Sequence, residues 1–286
     1  MKKVVYFLEF IIIQLLFLIF KFLGYRISSN LGFLIGRFLG PFFKSKSDII
    51  NNLKKAKISS KQTYEEIAKN VLGNYGRIFA EYIHLKDFRN NKLSKYISIE
   101  GKENLEKIRN NNEKVVFISG HFNNFELMAM EIEKAGIDLA AIYRPLNNEF
   151  LNKTMEKIRK EHICKKQIKK GRSGTRDLIK NLKKGTSVAL MIDQRVREGS
   201  KTNFFNNLAS TTTIPAQLIK KYDCKVVTIY IERKNKYFFK IYISKPITIS
   251  KTKKVEEITL YLNTILEEMI TKNLDQWIWT HNRWKE

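Results

Sequence analysis

A histidine and a glutamate that could work as an acid–base pair lie in one stretch, VVFISGHFNNFELM, from Val115 to Met128. An apolar, β-branched run ends in Ser-Gly-His, and a glutamate follows five positions after His121. A carboxylate on one imidazole nitrogen fixes the ring's tautomer and orientation and leaves the other nitrogen free as a base. Such a base suits removal of a proton from an alcohol as its oxygen attacks an acyl carbonyl. Spacing restricts how His121 and Glu126 could cooperate. On a single helix, residues five apart diverge by about 140° at 3.6 residues per turn. The two meet only if His121 belongs to a turn and Glu126 to the first turns of the helix after it, a path Gly120 would permit. HxxxxE alone is equally compatible with a structural turn. The chain has four histidines. Of the others, His84 reads as a surface or packing residue, His162 as solvated, and His281 in QWIWTHNRW as a second site candidate or a bland one.

The elements around this stretch must hold it in place. Residues 48–92 read as helical, with apolar residues at three- and four-residue intervals. YISIEG and KVVFIS read as strands with a short polar helix between them, and a helix begins near Asn123–Asn124. LAAIYRP is a strand stopped by Pro145, NEFLNKTMEKIRKEH and RSGTRDLIKNLKKG are helices, and TSVALMIDQ is a buried strand. STTTIPAQLIKKYDC reads as a capped helix, KVVTIYIER and YFFKIYIS as a strand pair, and KVEEITLYLNTILEEMITKNLDQWIW as one long amphipathic helix. Alternation of strands and helices implies an α/β fold with a mostly parallel central sheet flanked by helices, its last two strands forming a hairpin. In such sheets, ligands bind outside the carboxyl ends of strands. His121 and Asp193 both stand at such ends.

Charge and hydropathy narrow the setting. The 53 Lys+Arg exceed the 28 Asp+Glu by a formal +25. A bias toward Lys, Asn and Ile runs throughout the chain, and an anionic membrane surface or a nucleic acid would also attract such an excess. The N-terminus favours the membrane: Val4–Tyr25 is apolar apart from Glu9, Gln14 and Lys21. Its length approaches a bilayer span as a helix, and no signal-peptide cleavage site precedes Gly24. A pair of buried core helices is the competing reading, and Glu9 keeps it open. LGFLIGRFLGPFF (Leu31 to Phe43) is shorter and interrupted, so it reads as an interfacial or docking segment. Lys21, Arg26, Arg37, Lys44 and Lys46 follow the apolar run more densely than Lys2 and Lys3 precede it, which orients the body to the cytoplasm. Residues 1–47 are therefore expected to form a membrane anchor and interfacial segment, and residues 48–286 a catalytic domain, with no nucleic-acid role. Cys164 and Cys224 have no metal-ligand spacing and imply no disulfide framework.

GHFNNFE resembles the GHFGNWE block of the lipid A late acyltransferases, the lauroyl/myristoyl transferase family. YRPLNN, RSGTRDLIKNLKKG, VALMIDQRVREG, NFFNNLASTTTIPAQLIKKYDCKVV and QWIWTHNRWK continue the resemblance in order from about Val115 to the C-terminus. Asn123 and Asn206 stand where that family often has Gly, and Asn tolerates a left-handed backbone; Phe125 stands where it often has Trp. The resemblance implies a glycerol-phosphate-acyltransferase-like fold and transfer of a fatty acyl chain from acyl carrier protein to a hydroxyl of a 3-hydroxyacyl chain on a lipid A precursor. It implies no metal or cofactor, and a place at the inner membrane with the catalytic domain on its cytoplasmic face. By position, His121 is the general base and Glu126 its orienting carboxylate. Arg144, held extended before Pro145, is a candidate for an acceptor phosphate or the oxyanion, with a structural salt bridge as its alternative. Asp193 is a supporting substrate-binding candidate, with a helix cap as its alternative. Apolar residues around FFNNLA could line an acyl channel or simply pack. Another membrane glycolipid or a lysophospholipid is the alternative acceptor.

Overall fold

The computed structural model describes residues 2–43 and 46–285; Lys44, expected among the basic residues after the anchor, lies outside them. The chain opens with three helices, α1 (Lys2–Phe43), α2 (Lys46–Lys55) and α3 (Tyr64–Glu81), then a short α4 (Leu85–Arg89). Strand β1 (Ile97–Glu100), helix α5 (Lys102–Asn110) and strand β2 (Val115–Ser119) lead to α6 (Glu126–Lys134), β3 (Leu139–Tyr143) and α7 (Glu149–Ile158). Then come β4 (Lys166–Lys169), α8 (Arg172–Lys183), β5 (Ser187–Met191), and a hairpin of β6 (Ser200–Phe204) and β7 (Asn207–Thr211). Helix α9 (Ile214–Tyr222), strands β8 (Lys225–Lys234) and β9 (Phe238–Ile243) and helix α10 (Val255–Lys272) complete the order.

Seven strands form one sheet in the order β1-β9-β8-β2-β5-β3-β4. Every pair is parallel except β8 with β9, the expected hairpin. Strand β2 lies in the middle, and all five of its residues are buried. A continuous Val-Val-Phe-Ile run suits a strand covered on both faces. The chain leaves β2 through α6 towards β3 and leaves β5 in the opposite direction towards β8. The crevice between the ends of β2 and β5 is thus the topological switch point, where α/β sheets bind ligands.

One strand is added to the expected set and two expectations are corrected. KQIK forms the edge strand β4, although its polar composition carries no strand signal. In the STTT segment Ser210 and Thr211 close strand β7 rather than opening a helix, and α9 begins at Ile214 with Pro215 in its first turn. Helix α10 stops at Lys272, and Trp277 and Trp279 follow outside it.

Helix α1 holds its second half against α3. Gly24 breaks the helix at φ 75°, ψ 165°, a conformation that glycine adopts without steric cost. Beyond the break, the helices approach so closely that a Cβ on Gly32 would lie 2.4 Å from the Gly76 carbonyl oxygen, and one on Gly36 2.3 Å from that of Leu72. The segment from Leu31 therefore docks on the catalytic body. Thr63 caps α3 by accepting from the Glu66 amide at 3.2 Å.

Candidate active site

Register explains the site. Ser119 on β2 pairs with Met191 on β5. His121 lies two residues past Ser119 and Asp193 two past Met191, so parallel neighbours deliver the two side chains side by side. The His121 ring meets Asp193 Oδ1 through Nδ1 at 2.8 Å, and its backbone N–H donates to Asp193 Oδ2 at 2.7 Å. Trp277 Nε1 donates to the same Oδ2 at 2.9 Å. Asp193 is fully buried, and its two oxygens are engaged by donors that hold it ionised. Burial alone would push its pKa up, but the His121 charge and these hydrogen bonds outweigh burial and hold it below the ordinary value. For His121, burial is the largest single effect and disfavours the imidazolium; Asp193, by charge and hydrogen bond, overcomes it with help from the Glu126 charge, and the pKa lies above the ordinary value.

The expected His121–Glu126 hydrogen bond is absent among the described residues. Glu126 does occupy the first turn of α6 with His121 in the turn before it, but its Oε1 accepts instead from Arg159 Nε at 2.8 Å and Nη2 at 2.7 Å, and from the Tyr82 hydroxyl at 3.2 Å. Arg159 reaches it because the helix widens after α7: the Cys164 amide bonds back to the Arg159 carbonyl, five residues earlier, a turn type frequent at functional sites. Glu126 therefore acts on His121 by its field, and Asp193 by contact. Asp193 does not face the cleft itself; it reaches the cleft through the imidazole.

A cavity of about 650 Å³ opens at this point, its polar lining including His121, Glu126, Arg144, Arg159, Lys170 and His281. Its volume lies within the roughly 300–1,000 Å³ of small-molecule sites. Much of the rest of the wall is apolar, with Phe117, Met128, Ala129, Ile132, Ala141 and Ile163. The FFNNLA segment is not among the lining residues: Phe204 is fully buried against Trp277 and Trp284. The apolar lining comes instead from β2, α6, β3 and β5, with Ile163 from the widened turn after α7. Arg144 stands exposed on the rim just beyond β3. His281 accepts the Arg195 amide at Nε2, 2.9 Å, which assigns its proton to Nδ1; burial first, then nearby cations, keep its pKa below the ordinary value despite Asp193.

The turn itself is held by its asparagines. Asn123 adopts φ 41° and Asn206 φ 57°, the left-handed conformation expected where glycine is usual. Asn123 Nδ2 donates to the Ile231 carbonyl and the Gln276 side chain, and Asn124 Nδ2 to Glu81 at 3.3 Å. Arg159 and Trp277 were not legible as site residues. Nothing local distinguishes Arg159 within KIRKEH, and Trp277 read as an interfacial or packing tryptophan. His84 is buried, as a packing residue would be, and His162 is only partly exposed.

The fold and the site define an α/β enzyme whose strand-end histidine–carboxylate pair opens on an apolar-walled cavity, with a long N-terminal apolar helix as a membrane-anchor candidate. The family model described as "Bacterial lipid A biosynthesis acyltransferase" matches residues 1–286, and the chain belongs to that family. It is similar to the lipid A biosynthesis palmitoleoyltransferase of Escherichia coli (strain K12), with 27% identity over 271 residues, 92% of this chain and 86% of the relative. The lipid A biosynthesis acyltransferase of Shigella flexneri is similar to the same extent, 27% over 271 residues. The protein is an acyltransferase of lipid A biosynthesis.

Proposed function

We propose that the protein transfers a fatty acyl chain from acyl carrier protein to a hydroxyl of a 3-hydroxyacyl chain on a lipid A precursor, at the cytoplasmic face of the inner membrane. The observation that carries this reading is His121: Nδ1 is engaged by a buried carboxylate while the ring lines a cavity with an apolar wall. In the proposed reaction, Nε2 takes the acceptor's hydroxyl proton as its oxygen attacks the thioester carbonyl. The tetrahedral intermediate then expels the carrier thiolate, which takes the proton back from the imidazolium, and an ester remains on the acceptor. Asp193 and Glu126 together favour the imidazolium formed in the first step. Arg144 and Arg159 supply positive charge where the oxyanion develops or an acceptor phosphate binds. The apolar wall holds the donor chain. Exposed Lys165, Lys170, Arg172 and Arg176 suit an acidic carrier protein by long-range attraction.

The test is transfer of a labelled acyl chain from acyl carrier protein to a purified lipid A precursor. His121→Ala should retain its thermal melting profile and lose on the order of 10²–10⁴ of the rate. Near-normal transfer by a well-folded His121→Ala would remove His121 as the base. A wild-type enzyme that acylates a lysophospholipid and not the precursor would replace the acceptor.

A further inference from the structure

Helix α1 is long and apolar enough to cross a membrane, yet its first half is bound along the catalytic body. Near the Gly24 break, Phe17 and Phe20 are buried against Phe79, with ring centroids 5.1 and 6.3 Å away. At the opposite end, Phe7 and Phe10 meet Phe150 of α7 at 5.6 and 6.1 Å. Asn148 joins the two helices. Its Oδ1 accepts from the Phe150 and Leu151 amides, starting α7, while its Nδ2 donates to the Tyr6 carbonyl at 2.8 Å and to Glu9 Oε2 at 3.0 Å. Asn148 is buried and Glu9 is exposed, so this contact sits at the edge between the body and the outer surface of α1. Glu9, the acidic interruption of the apolar run, is thereby given a partner on the body.

From Tyr6 to Phe20 the helix advances about 21 Å at 1.5 Å per residue. A helix crossing the bilayer would carry Tyr6 away from the side on which Phe20 and the body lie. Keeping its contacts would then draw α7 into hydrocarbon, and α7 carries Glu149, Lys153, Glu156 and Lys157 within one short helix. Charged side chains at that depth are strongly disfavoured. The face of α1 turned away from the body is apolar from end to end: Val4, Leu8, Ile11, Leu15, Leu18 and Phe22 are all exposed, at intervals of three or four residues. Lys2 and Lys3 stand before this stripe and Lys21 and Arg26 near its end. One lipid-facing side, one protein-facing side and flanking cations describe a helix lying in the plane of a membrane surface.

We propose that the first half of α1 seats the enzyme on the bilayer in-plane, with the N-terminus on the same side of the membrane as the catalytic body. The cavity rim at Leu146 and Asn147 immediately precedes Asn148, so this seating holds the cleft mouth at the lipid surface. On the acyl-transfer reading above, the acceptor hydroxyl then meets His121 with its own chains still in the membrane.

The test uses the full-length protein in sealed inner-membrane vesicles of known orientation. Both native cysteines, Cys164 and Cys224, are buried, so introduced thiols report alone. Lys3→Cys marks the N-terminus and Lys201→Cys, at an exposed position of β6, marks the body; each is treated with a membrane-impermeant maleimide. In-plane seating requires both to be labelled from the same face. Labelling of Lys3→Cys from the opposite face, or only after detergent, overturns the proposal. Topology is read without any assay of transfer, so a failure here is distinct from a failure of the proposed reaction.

Discussion

Two clusters of buried charge lie on either side of the Asn123–Asn124 turn, and their difference separates structure from chemistry. The first is His121–Asp193–Trp277 at the ends of β2 and β5. The second gathers under α1, where Glu81 is fully buried. Arg233 Nη1 and Nη2 reach its two oxygens at 2.7 and 2.9 Å, Ser29 Oγ donates at 2.7 Å, and Asn124 completes the set. Arg77 donates to the same Ser29 oxygen at 2.9 Å. Burial, and then the repulsion of Arg233, lower the Arg77 pKa to about 10, still well above neutrality. Both clusters use a carboxylate with converging donors. None of the Glu81 group lines the cavity, whereas His121 does. The Glu81 cluster joins α1, α3, β8 and the turn after β2; the Asp193 cluster leaves a ring nitrogen facing a space where a substrate fits.

That contrast is sharpened most by Asp193→Asn. With its oxygen kept on the His121 amide and Trp277, the Asn NH2 faces Nδ1, where it cannot hold the imidazolium and favours the wrong tautomer. Transfer should fall on the order of 10²–10⁴ in a protein that still melts cooperatively. A loss fully explained by unfolding would place this cluster with the structural one. Glu81→Ala should do the reverse. Leaving Arg233 and Arg77 without their counter-charge should cost about 3–5 kcal/mol in denaturant unfolding, while the folded fraction keeps a rate within roughly tenfold of wild type, a 1.4 kcal/mol margin. A stable Glu81→Ala protein without activity would break the comparison.

Trp277→Phe removes one N–H donor from Asp193 and leaves the other donors in place. About 1.5–3 kcal/mol of stability should go with it, the range for a hydrogen bond to a charged group. Unchanged melting would show that Trp277 only fills space. The smallest effect is on pH dependence. A base must be neutral before it takes a proton, and Asp193 and Glu126 hold the His121 pKa above its ordinary value. The kcat/KM profile of wild type should therefore rise through an acidic limb lying above the ordinary histidine value. Glu126→Gln should move that limb down, because one of the charges favouring the imidazolium is gone. A limb that stays in place would mean that Glu126 acts only on Arg159.

Much of this site was legible one strand at a time. The buried run before His121 and the one before Asp193 each placed a polar residue at a strand end. What no local pattern encodes is that β5 lies beside β2, with β3 and β4 inserted between them in sequence and not in space. Glu126, near in sequence, was the visible partner; Asp193, 72 positions away, is the bonded one. The β6–β7 hairpin was hidden for a different reason. Its two-residue turn, Phe205–Asn206, has both residues at positive φ, the geometry hairpins favour, but phenylalanine is not a turn signal. Phe205 is held there by packing on Phe204 and Trp279, and its amide donates to Glu267 at 2.9 Å.

The sequence by itself determined the α/β class, the apolar N-terminal helix, the histidine at a strand end and the asparagines able to replace glycine in left-handed turns. These follow from short-range causes: side-chain periodicity, β-branching and the φ each residue tolerates. Tertiary structure alone decided which carboxylate binds His121, that Arg159 restrains Glu126, which residues wall the cavity, and that one side of α1 rests on α7. Each of those depends on segments distant in the chain becoming neighbours through sheet order and helix docking. An Asp beside a histidine and an Asp capping a helix share the same local sequence, and burial beside one partner rather than another is what gives the residue its chemistry.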